Sequence, residues 1–151
     1  MPKHNEYKSR LYATWQHMKD RTLNPKNQNW GNYGGRGIKI CEEWREYMPF
    51  RNWALSNGYK ENLTLDRINN NGNYEPTNCR WATYEIQNRN QRLNLRNKSG
   101  KKGVHFHKLT KKWRAQIEYK KSKIHLGLFN TVEEAAEARR QAEIKYWGYS
   151  S

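Results

Sequence analysis

Residues 103–129 carry three successive runs in which apolar and polar side chains alternate, and that pattern leaves little choice of fold. The runs are GVHFHKLT (103–110), KKWRAQIEY (111–119) and KSKIHLGLF (121–129). A strand turns successive side chains to opposite faces, so each run predicts a strand with one apolar side. Val104 and Phe106 face one way, with His105 and His107 opposite. Trp113, Ala115 and Ile117 oppose Arg114, Gln116 and Glu118, while Ile124 and Leu126 oppose Lys123 and His125. The apolar face needs a cover, and TVEEAAEARRQAEIKYWG (131–148) offers a helix for it. Thr131 is the expected N-cap, Glu134 its capping-box partner, and Gly148 the stop. Val132, Ala135, Ala136, Ala138 or Ala142, Ile144 and Tyr146 form the expected sheet-facing side, and its alanines allow a close approach.

Ahead of these strands lies NLRNKSGKKG (94–103), which has no apolar periodicity and reads as a linker. It divides the chain into two expected domains, 1–95 and 96–151. With 29 Lys and Arg against 14 Asp and Glu, the 151-residue chain has a net charge of +15. The first part carries 15 basic and 9 acidic residues; the shorter second part carries 14 and 5. Such a surplus suits a polyanion, and nucleic acid is the usual one. No apolar run approaches the ~20 residues that span a bilayer, and the start of the chain has no apolar signal segment, so the expectation is a cytoplasmic protein without a membrane partner. Cys41 and Cys79 have no CxxC partner and read as small buried side chains rather than zinc ligands.

In the first part, Tyr7 to Asp20 predicts a helix with Leu11, Trp15 and Met18 on one face. Residues 24–38, NPKNQNWGNYGGRGI, predict a turn-rich loop. Around Arg36, its glycines suit either a close backbone approach to phosphate or a tight structural turn. Glu42 to Asn57 predicts a second helix with Trp44, Met48 or Tyr47, and Trp53 inward, ended by Gly58. LTLDRI (63–68) and CRWAT (79–83) predict two strands, and Thr83 caps a helix from Tyr84 to about Arg92. The loop between the strands is crowded with asparagines beside Asp66. Two explanations stand open for it: a metal-assisted DNA-cutting site, or a solvated turn-rich hairpin.

Two resemblances sharpen this. WQHMKDRTLNP, YGGRGIKICEEW and above all LDRINNNGNYEPTNCRWAT with the following QNRN resemble the HNH (ββα-metal, His-Me finger) nucleases of phages, particularly homing-type enzymes, over residues 10–92. SGKKGVHFHKLTKKWRAQIEY, KIHLGLFNTVEEAAEAR and YWG resemble the ethylene-response-factor (APETALA-two) DNA-binding domain, over 99–148. The implied class is α+β: a ββα-metal nuclease domain with flanking helices, then a three-stranded antiparallel sheet packed on one helix.

The first resemblance implies that Asp66 holds a divalent metal, Mg²⁺ or alternatively Mn²⁺. It implies that Asn78 pins the loop and orients the base, and that a helix ligand falls on Gln87, with Asn88 and Asn90 as neighbours. The general-base position is filled by Arg67, whose guanidinium stays protonated at neutral pH and is not a base. His17 and His4 are candidate replacements, with a structural role as the other reading. Phosphate contacts are expected from Arg36, Arg80, Arg89 and Arg92. The second resemblance places DNA contacts on Lys102, His105, His107, Arg114, Gln116, Glu118, Lys123 and His125, in the major groove. Arg and Gln suit guanine and adenine edges, while Lys suits phosphate. The three histidines of that face also admit a metal site as an alternative. The family favours Arg and Trp there, so its target sequence does not carry over.

Together these imply a phage-like, homing-type DNA endonuclease that acts as a monomer on double-stranded DNA in a bacterial cytoplasm. The alternative is a sequence-specific DNA-binding protein or regulator on a catalytically inactive HNH scaffold.

Overall fold

Ser9 starts the first helix: its side chain accepts from the Tyr12 amide, and helix α1 runs over Arg10–Leu23. The expected helix began at Tyr7; the cap moves it three residues along the chain, and Leu11, Trp15 and Met18 face inward as the spacing predicts. The 24–38 segment is irregular, with short 3-10 turns at Trp30–Asn32 and Gly34–Arg36. The single helix expected over 42–57 is two pieces. A 3-10 turn, Glu42–Arg45, is followed by extended Glu46 and then by α2, Tyr47–Ser56. Pro49 explains the break, because a residue without an amide proton is tolerated only in a helix's first turn.

The computed structural model describes residues 5–149, so His4 lies outside the described residues. The chain divides into two compact units, residues 1–91 and 92–151. In class it is α+β, with four α-helices and two antiparallel sheets among the described residues.

The first unit is built around aromatic rings. Trp44, Phe50 and Met18 are almost fully buried, and Trp53 and Trp81 pack on Phe50. The Trp15 indole donates to the Trp44 carbonyl at 2.8 Å, tying α1 to the segment before α2. Glu6 joins them from outside, accepting from the Tyr47 hydroxyl and the Arg51 Nε at 2.6 Å each. Strands β1 (Thr64–Arg67) and β2 (Cys79–Ala82) form an antiparallel pair with Asp66 opposite Arg80. Thr83 then caps α3, Tyr84–Arg89, by accepting from the Ile86 amide. That helix ends three residues before the expected Arg92, because Asn90 closes it with its own amide on the carbonyls of residues 86–88.

The second unit is a three-stranded antiparallel sheet in the order β3 (Val104–His107), β4 (Lys112–Tyr119), β5 (Ser122–Phe129), covered by α4, Val132–Trp147. Thr131 accepts from the Glu134 amide, and Glu134 reaches back to the Asn130 amide, one residue before the usual capping-box partner. Val104, Ala115 and Ala135 are completely buried, so sheet and helix meet through small residues.

Two expectations fail here. Phe106 is 47% exposed, because the helix covers the Val104 end of its strand, and Phe106 packs edge-on against Trp113 instead. Ile144 is exposed, and Glu143 is buried in its stead. Arg139 makes that burial tolerable: it donates to Glu143 at 2.9 Å and to the Gln116 carbonyl at 2.5 Å, and it lies over the Trp147 ring. Gly103, with φ +71°, lies so close that a Cβ would be 2.5 Å from the Gln116 carbonyl oxygen.

Trp44 fills the centre of the first unit, so Trp44→Ala should lower unfolding free energy by about 3–5 kcal/mol, the usual cost of emptying a large aromatic site. Chemical denaturation followed by tryptophan fluorescence measures it.

Candidate active site and DNA-facing surface

The β1–β2 hairpin carries Asp66 inward, and the residue is only 4% exposed. A buried carboxylate needs partners, since an uncompensated charge away from water is costly. Arg80, directly across the ladder, donates from Nε to Oδ2 at 2.9 Å. Asn90, just past α3, brings its Nδ2 to 3.2 Å from both carboxylate oxygens. That same nitrogen is 2.6 Å from the Arg67 carbonyl and 3.4 Å from that of Ile68. Asn90 therefore places one end of its amide in a nest made wholly of oxygens: a carboxylate and two backbone carbonyls.

Such a nest is the donor set a hard cation takes. The two ends of a carboxamide are nearly isosteric, so a half-turn would point the Asn90 oxygen the same way and add a further ligand. The residues present thus fit a divalent cation held by Asp66 and Asn90. Gln87 is used elsewhere, donating to the Leu65 carbonyl at 3.2 Å, so that of the helix amides it is Asn90 that meets Asp66. Among the described residues no three His, Cys, Asp or Glu side chains come together. The oxygen-rich character comes from backbone and amides instead.

The asparagine loop is held by Asn78. Its Oδ1 accepts from the Asn69 amide at 2.9 Å, and its Nδ2 donates to the Asn73 carbonyl at 2.9 Å and the Asn69 carbonyl at 3.1 Å. Gly72 makes room for it, since a Cβ there would lie 2.6 Å from the Asn78 Nδ2. Further anchors come from the segment before the second helix. Tyr74 pairs with Ile40 in an isolated parallel bridge, and the Asn73 side chain accepts from the Lys39 amide. Arg36 donates to the Asn70 carbonyl at 2.9 Å, and Asn70 reaches the Asn90 carbonyl.

Strand alternation sends Arg67 to the side opposite Asp66. Its guanidinium lies 5.1 Å from the Tyr33 ring centre and 4.9 Å from that of Tyr74, and it donates to the Gly72 carbonyl at 2.8 Å. Arg21 contacts the same two rings. Arg67 is thus a brace between the aromatic core and the loop. Burial beside it pushes the Tyr74 hydroxyl and the Cys79 thiol each up to about 12, so neither ionises at neutral pH. His17 is exposed on α1. Arg89 pairs with Glu85 at 3.8 Å, and Arg92 falls at the start of the second unit.

In the second unit, the face away from α4 aligns His105 with Arg114 and His107 with Lys112 across β3 and β4. Across β4 and β5 it pairs Gln116 with His125 and Glu118 with Lys123. A bulge at Ala115/Gln116 makes Leu126 the extra residue, so Leu128 joins Arg114 on this face while Phe129 turns under it. The Arg114 Nε is buried with no hydrogen-bond partner. His105 is held below its ordinary 6.5 by partial burial, then by the nearby Arg114 and Lys123 charges. Burial likewise lowers Lys102, which lies beside α4 with Arg139 and Glu143 and not on the open face of the sheet where the resemblance put it.

Asn78→Ala should cost about 1–3 kcal/mol, since it removes three loop hydrogen bonds each contributing about 0.5–1.5 kcal/mol at most, and should speed hydrogen exchange at the Asn69 amide. A base whose folded pKa is depressed stabilises the fold fully above its unfolded value and less as pH falls through the folded one. His105 should accordingly titrate below 6.5 when its imidazole proton shift is followed by NMR, and stability should decline as pH falls below that value. Comparison of the chain with protein-family models, with curated proteins and with solved structures returns no match.

Proposed function

We propose that the protein is a metal-dependent DNA endonuclease, with the first unit hydrolysing a phosphodiester and the second supplying affinity and address on double-stranded DNA. One observation carries the reading: a buried carboxylate, two carbonyls and a carboxamide converge at Asp66 and Asn90, on a strand–loop–strand–helix whose loop is pinned by Asn78. The motif resemblance to HNH nucleases supports it, as does the net charge of +15.

A Mg²⁺ or Mn²⁺ ion held by Asp66 and Asn90 would supply stabilisation of the charge that develops on the scissile phosphate. The chain's own groups do the rest. Asn78 fixes the loop that leaves β1 just after the Arg67 and Ile68 carbonyls. Arg80, with a side chain 43% exposed, is long enough to turn from Asp66 to a phosphate oxygen. Arg67 holds the loop through Gly72 and takes no proton, its guanidinium remaining charged well past neutral pH. In the reaction a water oxygen bonds to phosphorus as its proton passes to solvent, and the P–O3′ bond breaks with the leaving O3′ taking a proton from solvent, giving 5′-phosphate and 3′-hydroxyl ends.

The second reading is a DNA-binding protein on an inactive scaffold. It is favoured by the engagement of Asp66 with Arg80 and by the arginine that stands where relatives of this motif carry a base.

Supercoiled phage DNA incubated with the protein in Mg²⁺ or Mn²⁺ separates the two. Metal-dependent nicking, lost in Asp66→Ala and reduced at least ~100-fold in Asn90→Ala as befits removal of a group stabilising transition-state charge, supports the nuclease. Gln87→Ala should cost far less than Asn90→Ala. DNA that is shifted but never cut, in either metal, supports the binder.

A further inference from the structure

The non-glycine residues with positive φ among those described are Lys111, Lys120 and Lys121, at +53°, +49° and +63°. Left-handed backbone favours glycine and, after it, asparagine. The chain has 18 asparagines, yet lysine stands at all three of these positions. All three stand in the hairpin tips of the β3–β4–β5 sheet, one tip at each end of β4. Lys111 turns β3 into β4, and Lys120 with Lys121 turns β4 into β5. A two-residue tip with both residues left-handed normally takes Asn-Gly. Here two cations replace it.

Each tip is extended by a lysine on the open face of the sheet. Lys112 pairs with His107 at one end, and Lys123 pairs with Glu118 at the other. Lys108 adds to the first cluster, all of it exposed. Between the clusters lie His105, Arg114, Gln116 and His125, the groups suited to base edges. The eight residues of β4 extend ~26 Å at ~3.3 Å per residue, more than twice the ~12 Å width of a major groove. A strand that long, seated at the groove, carries its ends beyond the bases to the phosphates.

We infer that the two lysine tips, Lys111 with Lys112 and Lys120 with Lys121, are phosphate clamps that grip the DNA backbone on either side of a base-reading patch. This rests on the reading of the second unit as a double-stranded DNA-binding domain. The left-handed lysines are local strain retained for binding, and the clamps contribute affinity without sequence preference.

The test is the full-length Lys111→Asn/Lys120→Asn/Lys121→Gly variant, whose replacements suit positive φ and so keep the turns. Binding to a labelled 30-bp duplex of arbitrary sequence is measured by fluorescence anisotropy from 50 to 250 mM NaCl. The expected result is an unchanged or higher Tm, with the slope of log K against log salt shallower by about 0.9 for each phosphate no longer neutralised, about 2.7 in all. An unchanged slope in a variant of unchanged Tm overturns the clamps while leaving DNA binding intact. If the wild-type protein fails to bind the duplex even at 50 mM NaCl, the DNA-binding reading itself falls, and the clamps with it. Should the triple variant unfold, the Lys120→Asn/Lys121→Gly pair alone decides: a slope shallower by about 1.8 sustains the proposal, and an unchanged one removes it.

Discussion

A carboxylate taken almost wholly out of water organises the first unit. Asp66 lies on a short strand backed by Trp44, Phe50 and Trp81, where a lone negative charge would be destabilising. Arg80 across the hairpin and Asn90 beyond α3 answer it, and each fixes something further. Arg80 locks the register of the two strands. Asn90 ends its helix and holds the backbone of residues 67 and 68, so helix, hairpin and loop are drawn to one point. The loop in turn is stiffened from behind by Arg67, packed against two stacked tyrosines. The polar site and the aromatic core are joined through a single strand whose neighbouring residues face opposite ways.

The second unit solves a different problem. Its fully buried core is only Val104, Ala115 and Ala135, small residues that bring the layers close, while Trp113, Leu126 and Phe129 pack against them partly exposed. Arg139 supplements that thin core from the side, linking Glu143, the Gln116 carbonyl and Trp147. The helix is thereby tied to the central strand at the residue whose side chain points to the opposite, open face.

Much of this architecture was legible because local signals agreed with one another. Thr83 and Thr131 mark helix starts that the structure repeats, and the alternation at 104–107 and 112–119 needs no tertiary help. What stayed hidden depends on contacts between distant residues. The motif put the helix amide on Gln87, with Asn88 and Asn90 as substitutes, and only the point where α3 ends puts Asn90 beside Asp66. The partners of Arg67 lie at 33 and 74, in separate loops, so no spacing announced a brace. Phe106 fits the apolar face by parity, yet its exposure follows from where α4 lies on the sheet. Glu143 likewise reads as a solvent residue until Arg139 is placed beside it.

The bulge in β5 has an evolutionary consequence. Elsewhere in a ladder, deleting one residue inverts every side chain beyond it. Leu126 is the exception, because it is the residue without a cross-strand partner: Gln116 faces His125 and Ala115 faces Gly127. Removing it would straighten the ladder yet leave Gly127, Leu128 and Phe129 facing as they do now. This is the place in the sheet where descendants of the chain can differ in length and still present the same open face.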